Sequence, residues 1–228
     1  MKLYNTTQDL SAIKDVKSYD VSRRRFLQLA GGIAGTGAFL TACKKSADNR
    51  IFVGRGDVGL LNFLYIIEQL KAGFYAQANA TTYYGLTLSE MQLLADLRDH
   101  DLAHVDFLAL ILAGNVIPKI TLNLSPAIYA DRTSMISNAI ILEDLAVASY
   151  NGVMQSFSDA GYLPTISKIA SVEARHAQYV RDLLNYNSFG DISLIDANGL
   201  GQSLSPQAAL AIAQPYIQTQ FDGSTLPA

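Results

Sequence analysis

Four stretches of this chain repeat apolar residues at intervals of three and four, and each repeat is broken near its middle by an acid. That spacing places the residues on one face of an α-helix. The stretches cover about residues 56–80, 89–113, 134–160 and 165–185. In the second, Leu94, Leu97, Asp101, His104, Leu108 and Ile111 share a face. The third aligns Ile136, Ala139, Glu143, Ala146, Tyr150, Met154 and Phe157, and the fourth Ile166, Ile169, Glu173, His176, Val180 and Leu184. The first stretch is apolar almost all round, yet Leu61, Leu64, Tyr65, Ala72 and Tyr75 share their line with Glu68. Asp99, Asp106, Asp144 and Asp182 fall off these faces and read as solvated charges.

Local signals place the helix ends. Thr87 and Glu90 have capping-box spacing, Thr133 or Ser134 can cap the third helix, and Pro164 suits the first turn of the fourth. Short connections make the first and second helices antiparallel neighbours, and likewise the third and fourth. The link between those pairs needs about 20 residues, which reach about 65 Å when extended. A helix of about 25 residues is only about 38 Å long. The chain is therefore expected to be all-α: a four-helix bundle over 56–185, built as two antiparallel hairpins joined by one long crossover. Strand patterns are nearly absent, with only weak alternation over Lys119–Leu124 in the crossover. Residues 186–228 form a polar extension with one short helix, capped by Ser205 and opened by Pro206.

Four carboxylates on greasy faces pose an electrostatic problem. Burying an unpaired carboxylate costs several kcal/mol, and four at one level would repel each other. The faces are read as carrying no lysine or arginine near their centres. Two divalent cations would balance Glu68, Asp101, Glu143 and Glu173 and leave His104 and His176 as neutral ligands. Oxygen-rich sites with two imidazoles and no thiolate suit iron or manganese. A single-ion site and a metal-free polar core remain the alternatives. His100 lies one turn before His104, toward the flank, and reads as a structural or supporting group. Tyr65, Tyr75 and Tyr150 line the same faces as core residues whose hydroxyls can reach a carboxylate.

One Glu on each of two helices, with Asp101-Leu-Ala-His104 and Glu173-Ala-Arg-His176 on the other two, resembles the ferritin-like superfamily. In particular it resembles exported ferritin-like domain proteins of the desiccation-related lineage, whose second-helix signature looks like the phrase Leu97-Arg-Asp-His-Asp-Leu-Ala-His-Val-Asp-Phe-Leu108. The resemblance covers about residues 56–185. It implies that Glu68 and Glu143 are single-helix ligands and that one acid-x-x-His pair faces each metal. Asp101 departs from the pattern, which prefers the longer Glu.

Composition limits the remaining possibilities. A single cysteine excludes a disulfide framework and any cysteine-built metal site. A net charge of −3 argues against a nucleic-acid partner. Ser22-Arg23-Arg24-Arg25-Phe26-Leu27 looks like a twin-arginine export motif, with Arg23 and Arg24 as the pair. The apolar run from Leu27 to Ala42 is too short to span a bilayer. It ends in Leu40-Thr41-Ala42-Cys43, which resembles a lipobox with Cys43 as the lipidated residue. Residues 1–42 are then a signal peptide and 43–55 a tether. Removal of residues 1–42 takes away six of the 17 basic and three of the 20 acidic residues, leaving 11 against 17. Attachment of so acidic a body would come from lipid rather than surface charge. The expected partners are the twin-arginine translocase and a membrane, with a homo-oligomer also compatible. The expected location is the cell envelope, on the periplasmic or outer-membrane side.

Two functions fit this reading. One is an oxidoreductase whose two-metal centre handles dioxygen, peroxide or ferrous iron, as an oxidase, ferroxidase or peroxidase. The other is a non-catalytic envelope or stress-related protein that keeps the bundle as a scaffold.

Overall fold

A computed structural model describes residues 49–81, 86–188 and 191–227. The export motif with Arg23 and Arg24, the lipidation candidate Cys43 and most of the tether lie outside the described residues. The elements are β1 (Ile51–Phe52), α1 (Gly56–Ala80), α2 (Leu88–Leu112), α3 (Arg132–Met154), α4 (Leu163–Leu184), α5 (Pro206–Ala213) and β2 (Phe221–Asp222). Among the described residues, no helix is long and apolar enough to cross a membrane.

Hydrogen bonds fix the direction of each hairpin. Asn62, near the start of α1, donates to Asn115 O just beyond the end of α2 and accepts from Ile117 N, so α1 and α2 are antiparallel. Arg132, which opens α3, donates to Leu183 O at the end of α4, so this pair is antiparallel too. The crossover then climbs α1. It is bound first at Asn62, next where Ile120 N donates to Gln69 Oε1, and last where Tyr129 Oη donates to Phe74 O. Two hairpins and a crossover running the length of the bundle are what the connection lengths predict.

Thr87 and Glu90 do form the capping box of α2, and Ser205 caps α5 with Pro206 at its first position. The start of α3 differs from expectation. Its cap is Asp131, whose carboxylate accepts from Ser134 N at 2.8 Å, rather than Thr133 or Ser134. The helix also ends at Met154, short of the expected residue 160. Asp57 explains the early stop: its carboxylate takes the amides of Ser158 and Asp159 at 2.7 and 2.9 Å, which a continuing helix would have used.

The described residues flanking the bundle on either side pack against it. Ile51 and Phe52 pair in parallel with Phe221 and Asp222, and Val53 is fully buried, with Asn62 donating to its carbonyl. The last residues of the expected tether thus belong to the folded body. The C-terminal segment lies on α3, where Leu204 N donates to Ala148 O. A Cβ on Gly152 would stand 1.8 Å from Leu204 O, so only glycine permits this approach. One off-face acid is not simply solvated: Asp144 is half-buried and ion-paired with Arg181.

Candidate metal centre

Each of the four long helices delivers its polar residues to one level of the core. Glu68, Asp101, Glu143 and Glu173 are all 0% exposed, and His176 is 6% exposed. Only His104 keeps a modest opening to solvent. Helix α1 contributes Glu68 and Tyr75, seven residues apart, and α3 contributes Glu143 and Tyr150 at the same spacing. The two pairs reciprocate: Tyr75 Oη donates to Glu143 Oε1 at 2.6 Å, and Tyr150 Oη donates to Glu68 Oε1 at 2.5 Å. Burial first, then the neighbouring carboxylates, push both phenols well above their ordinary values, so they remain donors. Tyr65 is buried as well, but its electrostatic neighbour is Asp106 rather than the cluster.

Helices α2 and α4 supply the imidazoles. His104 Nδ1 lies 2.9 Å from Glu173 Oε1 and 3.4 Å from Glu68 Oε2. His176 Nδ1 lies 3.6 Å from Glu173 Oε2, 3.7 Å from Asp101 Oδ1 and 4.0 Å from Glu143 Oε2. Two groups of side chains therefore offer ligand atoms within 4.8 Å of one another: Glu68, Asp101, His104 and Glu173, and separately Glu143, Glu173 and His176. Glu173 belongs to both.

The ferritin-like domain profile matches residues 56–186, more than half of the chain. The chain belongs to the ferritin-like domain family. No curated protein matches it.

The side chains of this ferritin-like domain suit a metal. Glu68 Oε2, Asp101 Oδ2 and His176 Nδ1 are buried without a hydrogen bond, while His104 Nδ1 and Glu173 Oε1 face each other at 2.9 Å and Glu143 Oε2 faces a buried ammonium. Buried polar atoms are seldom left unbonded. These oxygen and nitrogen atoms, converging from four helices, make a donor set for a hard or borderline cation.

One cation was overlooked in the sequence. Lys71, fully buried, sits among the carboxylates, with Nζ 3.1 Å from Asp101 Oδ1, 2.9 Å from Glu143 Oε2 and bonded to Glu173 Oε2. The expectation of faces free of lysine is therefore wrong. Lys71 follows Glu68 by three residues and precedes Tyr75 by four, which puts it on the line those two define. The spacing was available; the uniformly apolar circumference of α1 concealed which side mattered.

Lys71 reshapes the electrostatics. Burial opposes its charge, but Asp101, Glu143, Glu173 and Glu68 together hold its pKa well above the ordinary lysine value. Glu173 moves the other way: burial would raise it, yet Lys71 and the two imidazoles hold its carboxyl well below the usual range. Burial and the other three carboxylates outweigh Lys71 at Asp101, which is pushed well up. His104 is raised to about 9 because Glu173 and Glu68 overcome its burial.

His100 touches the site indirectly. Its Nδ1 lies 3.0 Å from His176 Nε2, and the two rings stack with centroids 5.2 Å apart. With His176 Nδ1 turned to the carboxylates, a proton on Nε2 can be donated to His100. A cavity of about 540 Å³ between α2 and α4 is lined by His100, His104, Arg175, His176 and Tyr179. A larger cavity, about 830 Å³, lies between α3, α4 and the C-terminal extension, and none of the site carboxylates or imidazoles lines it.

Proposed function

We propose that this chain is an exported, lipid-anchored ferritin-like protein whose buried centre binds iron or manganese and performs redox chemistry with dioxygen, peroxide or ferrous iron. The observation that carries the reading is the convergence of six buried carboxylate and imidazole side chains, with ligand atoms of each group within 4.8 Å of one another and a cavity beside His104 and His176. Glu68, Asp101, His104, Glu143, Glu173 and His176 would hold the metal, which supplies electron transfer and a Lewis-acid position for a small oxidant. Tyr75 and Tyr150 fix one oxygen of Glu143 and Glu68 and so aim the other inward. The apolar residues around the cluster, such as Leu97, Leu108 and Ile169, keep bulk water out.

Export and anchoring rest on Ser22–Leu27 and on Cys43. Folding before export would let the metal be loaded inside the cell. A scaffold with a metal-free core is the competing reading; Lys71 favours it by offsetting part of the buried negative charge, and the orphaned donor atoms oppose it.

Elemental analysis of the aerobically purified full chain separates the two. Iron or manganese should co-purify, and Glu68→Ala should lose both the metal and any ferrous-iron or peroxide turnover. A metal-free wild type whose turnover matches the variant's would end the redox reading. Cys43→Ser should shift the protein from the membrane fraction to the soluble one; unchanged membrane association would refute the lipid anchor.

A further inference from the structure

The two halves of the centre differ in what already serves them. In the first, Glu68 Oε2, Asp101 Oδ2 and Glu173 Oε1 are carboxylate oxygens other than those that hold the ammonium, and His104 Nδ1 faces Glu173 Oε1 at 2.9 Å and Glu68 Oε2 at 3.4 Å. In the second, Glu143, Glu173 and His176 surround a place that Lys71 has entered. The ammonium presents three N–H groups and has three carboxylate oxygens around it: Asp101 Oδ1, Glu143 Oε2 and Glu173 Oε2. The same three oxygens lie 3.6 to 4.0 Å from His176 Nδ1. An ion bound by His176, Glu143 and Glu173 would take its carboxylate oxygens from the set that holds the ammonium, at close range to a like charge. Lys71 cannot swing out to solvent, because it is 0% exposed and enclosed by the bundle.

The α1 and α3 faces make the asymmetry explicit. Three residues after Glu68 stands Lys71; three residues after Glu143 stands Ala146. The other group that α1 and α3 each present to the cluster, a tyrosine seven residues on, is duplicated. One side chain therefore breaks an otherwise matched pair.

We propose that the Lys71 ammonium holds the second cation position of this centre, so that the chain takes one transition-metal ion, at Glu68, Asp101, His104 and Glu173, rather than two. The proposal rests on the metal-binding reading above and changes its stoichiometry: a built-in organic cation does the neutralising that a second metal would do. Lys71 also keeps Glu143 and Glu173 in place.

Manganese(II) titration of the full chain, read by bound metal per chain and by electron paramagnetic resonance, tests this directly. Wild type should bind one ion and give the six-line spectrum of an isolated manganese(II). Lys71→Ala, which removes the ammonium, should double the count to two and replace that spectrum with the broadened signal of a coupled pair about 3.5–4 Å apart. Lys71→Met, similar in length but uncharged, serves as the second variant if the smaller side chain prevents folding, and should also gain affinity for a second ion. Two coupled ions in wild type would overturn the proposal without recourse to any variant. A count that stays at one in folded Lys71→Ala would also overturn it. No bound metal in wild type or in either variant would instead overturn the metal-binding reading, and this proposal with it.

Discussion

Helices α1 and α3 are two versions of one design. Each brings a buried glutamate to the centre and, seven residues later, a tyrosine whose hydroxyl bonds the other helix's glutamate. Each also passes under a non-helical segment at a glycine, Gly73 beneath Leu122 and Gly152 beneath Leu204. They part at the position three residues after the glutamate, where α1 has Lys71 and α3 has Ala146. A bundle can thus keep its scaffold symmetric while one side chain decides how charge is shared between its halves. The partner helices show a milder version: α2 offers the shorter Asp101, which joins one ligand group, whereas Glu173 on α4 reaches both.

Removing the odd residue should have the largest effect. In metal-free protein, Lys71→Ala leaves four buried carboxylates without their ammonium, a loss of about 3–5 kcal/mol for breaking a buried ion pair from one side. Denaturant unfolding of wild type and variant, both stripped with chelator, measures it. The sign with pH follows from Glu173, whose folded carboxyl titrates below its ordinary 4.5. Its contribution is present above the unfolded value and lost as pH falls through the folded one. The gap between wild type and variant should therefore narrow in acid. Equal stabilities at neutral pH would mean that Lys71 does not carry the charge balance.

How this comparison could be read in advance depends on how local each cause is. The four helices were legible because apolar spacing is a local pattern, and five of the six proposed ligands interrupt a well-defined face. Glu68 and Lys71 lie on a helix that is apolar all round, where a face exists only once Tyr75 and Glu68 define it. The cap of α3 was placed two or three residues late, at Thr133 or Ser134, because capping side chains follow one another there and only the backbone singles out Asp131. The early end of α3 was not legible, since it depends on Asp57, about 100 residues earlier. The contact of His100 with His176 is likewise a product of tertiary packing, 76 residues apart in sequence.

The reciprocal tyrosines allow the two halves to be compared with a smaller perturbation. Tyr75→Phe and Tyr150→Phe each delete one hydroxyl donor to a buried carboxylate and leave the ring packed. A hydrogen bond to a charged group is worth about 1.5–3 kcal/mol. Lys71 also contacts Glu143, so Glu143 keeps a partner when Tyr75 is changed, whereas Glu68 has no ammonium at comparable distance. Tyr150→Phe should therefore cost more than Tyr75→Phe in chelator-treated protein. A larger loss in Tyr75→Phe would show that the ammonium does not shield Glu143.

The two glycines give the finest distinction, because the same substitution meets different obstacles. Alanine within a helix gains about 1 kcal/mol over glycine in propensity. At Gly73 the new methyl would stand 2.1 Å from Leu122 Cδ1, the far end of a side chain that can rotate away. At Gly152 it would meet a backbone oxygen, Leu204 O, at 1.8 Å, and the neighbouring Leu204 N is held by Ala148 O. Overpacking of that kind costs about 1–3 kcal/mol, which against the propensity gain leaves Gly152→Ala destabilising by up to about 2 kcal/mol. Relief is available only if the segment around Leu204 lifts off α3, which limited proteolysis would report as new cleavage near residues 200–206. Gly73→Ala should stay close to neutral, with no change in cleavage. If both variants behave alike, the extension is not seated on α3 by its backbone.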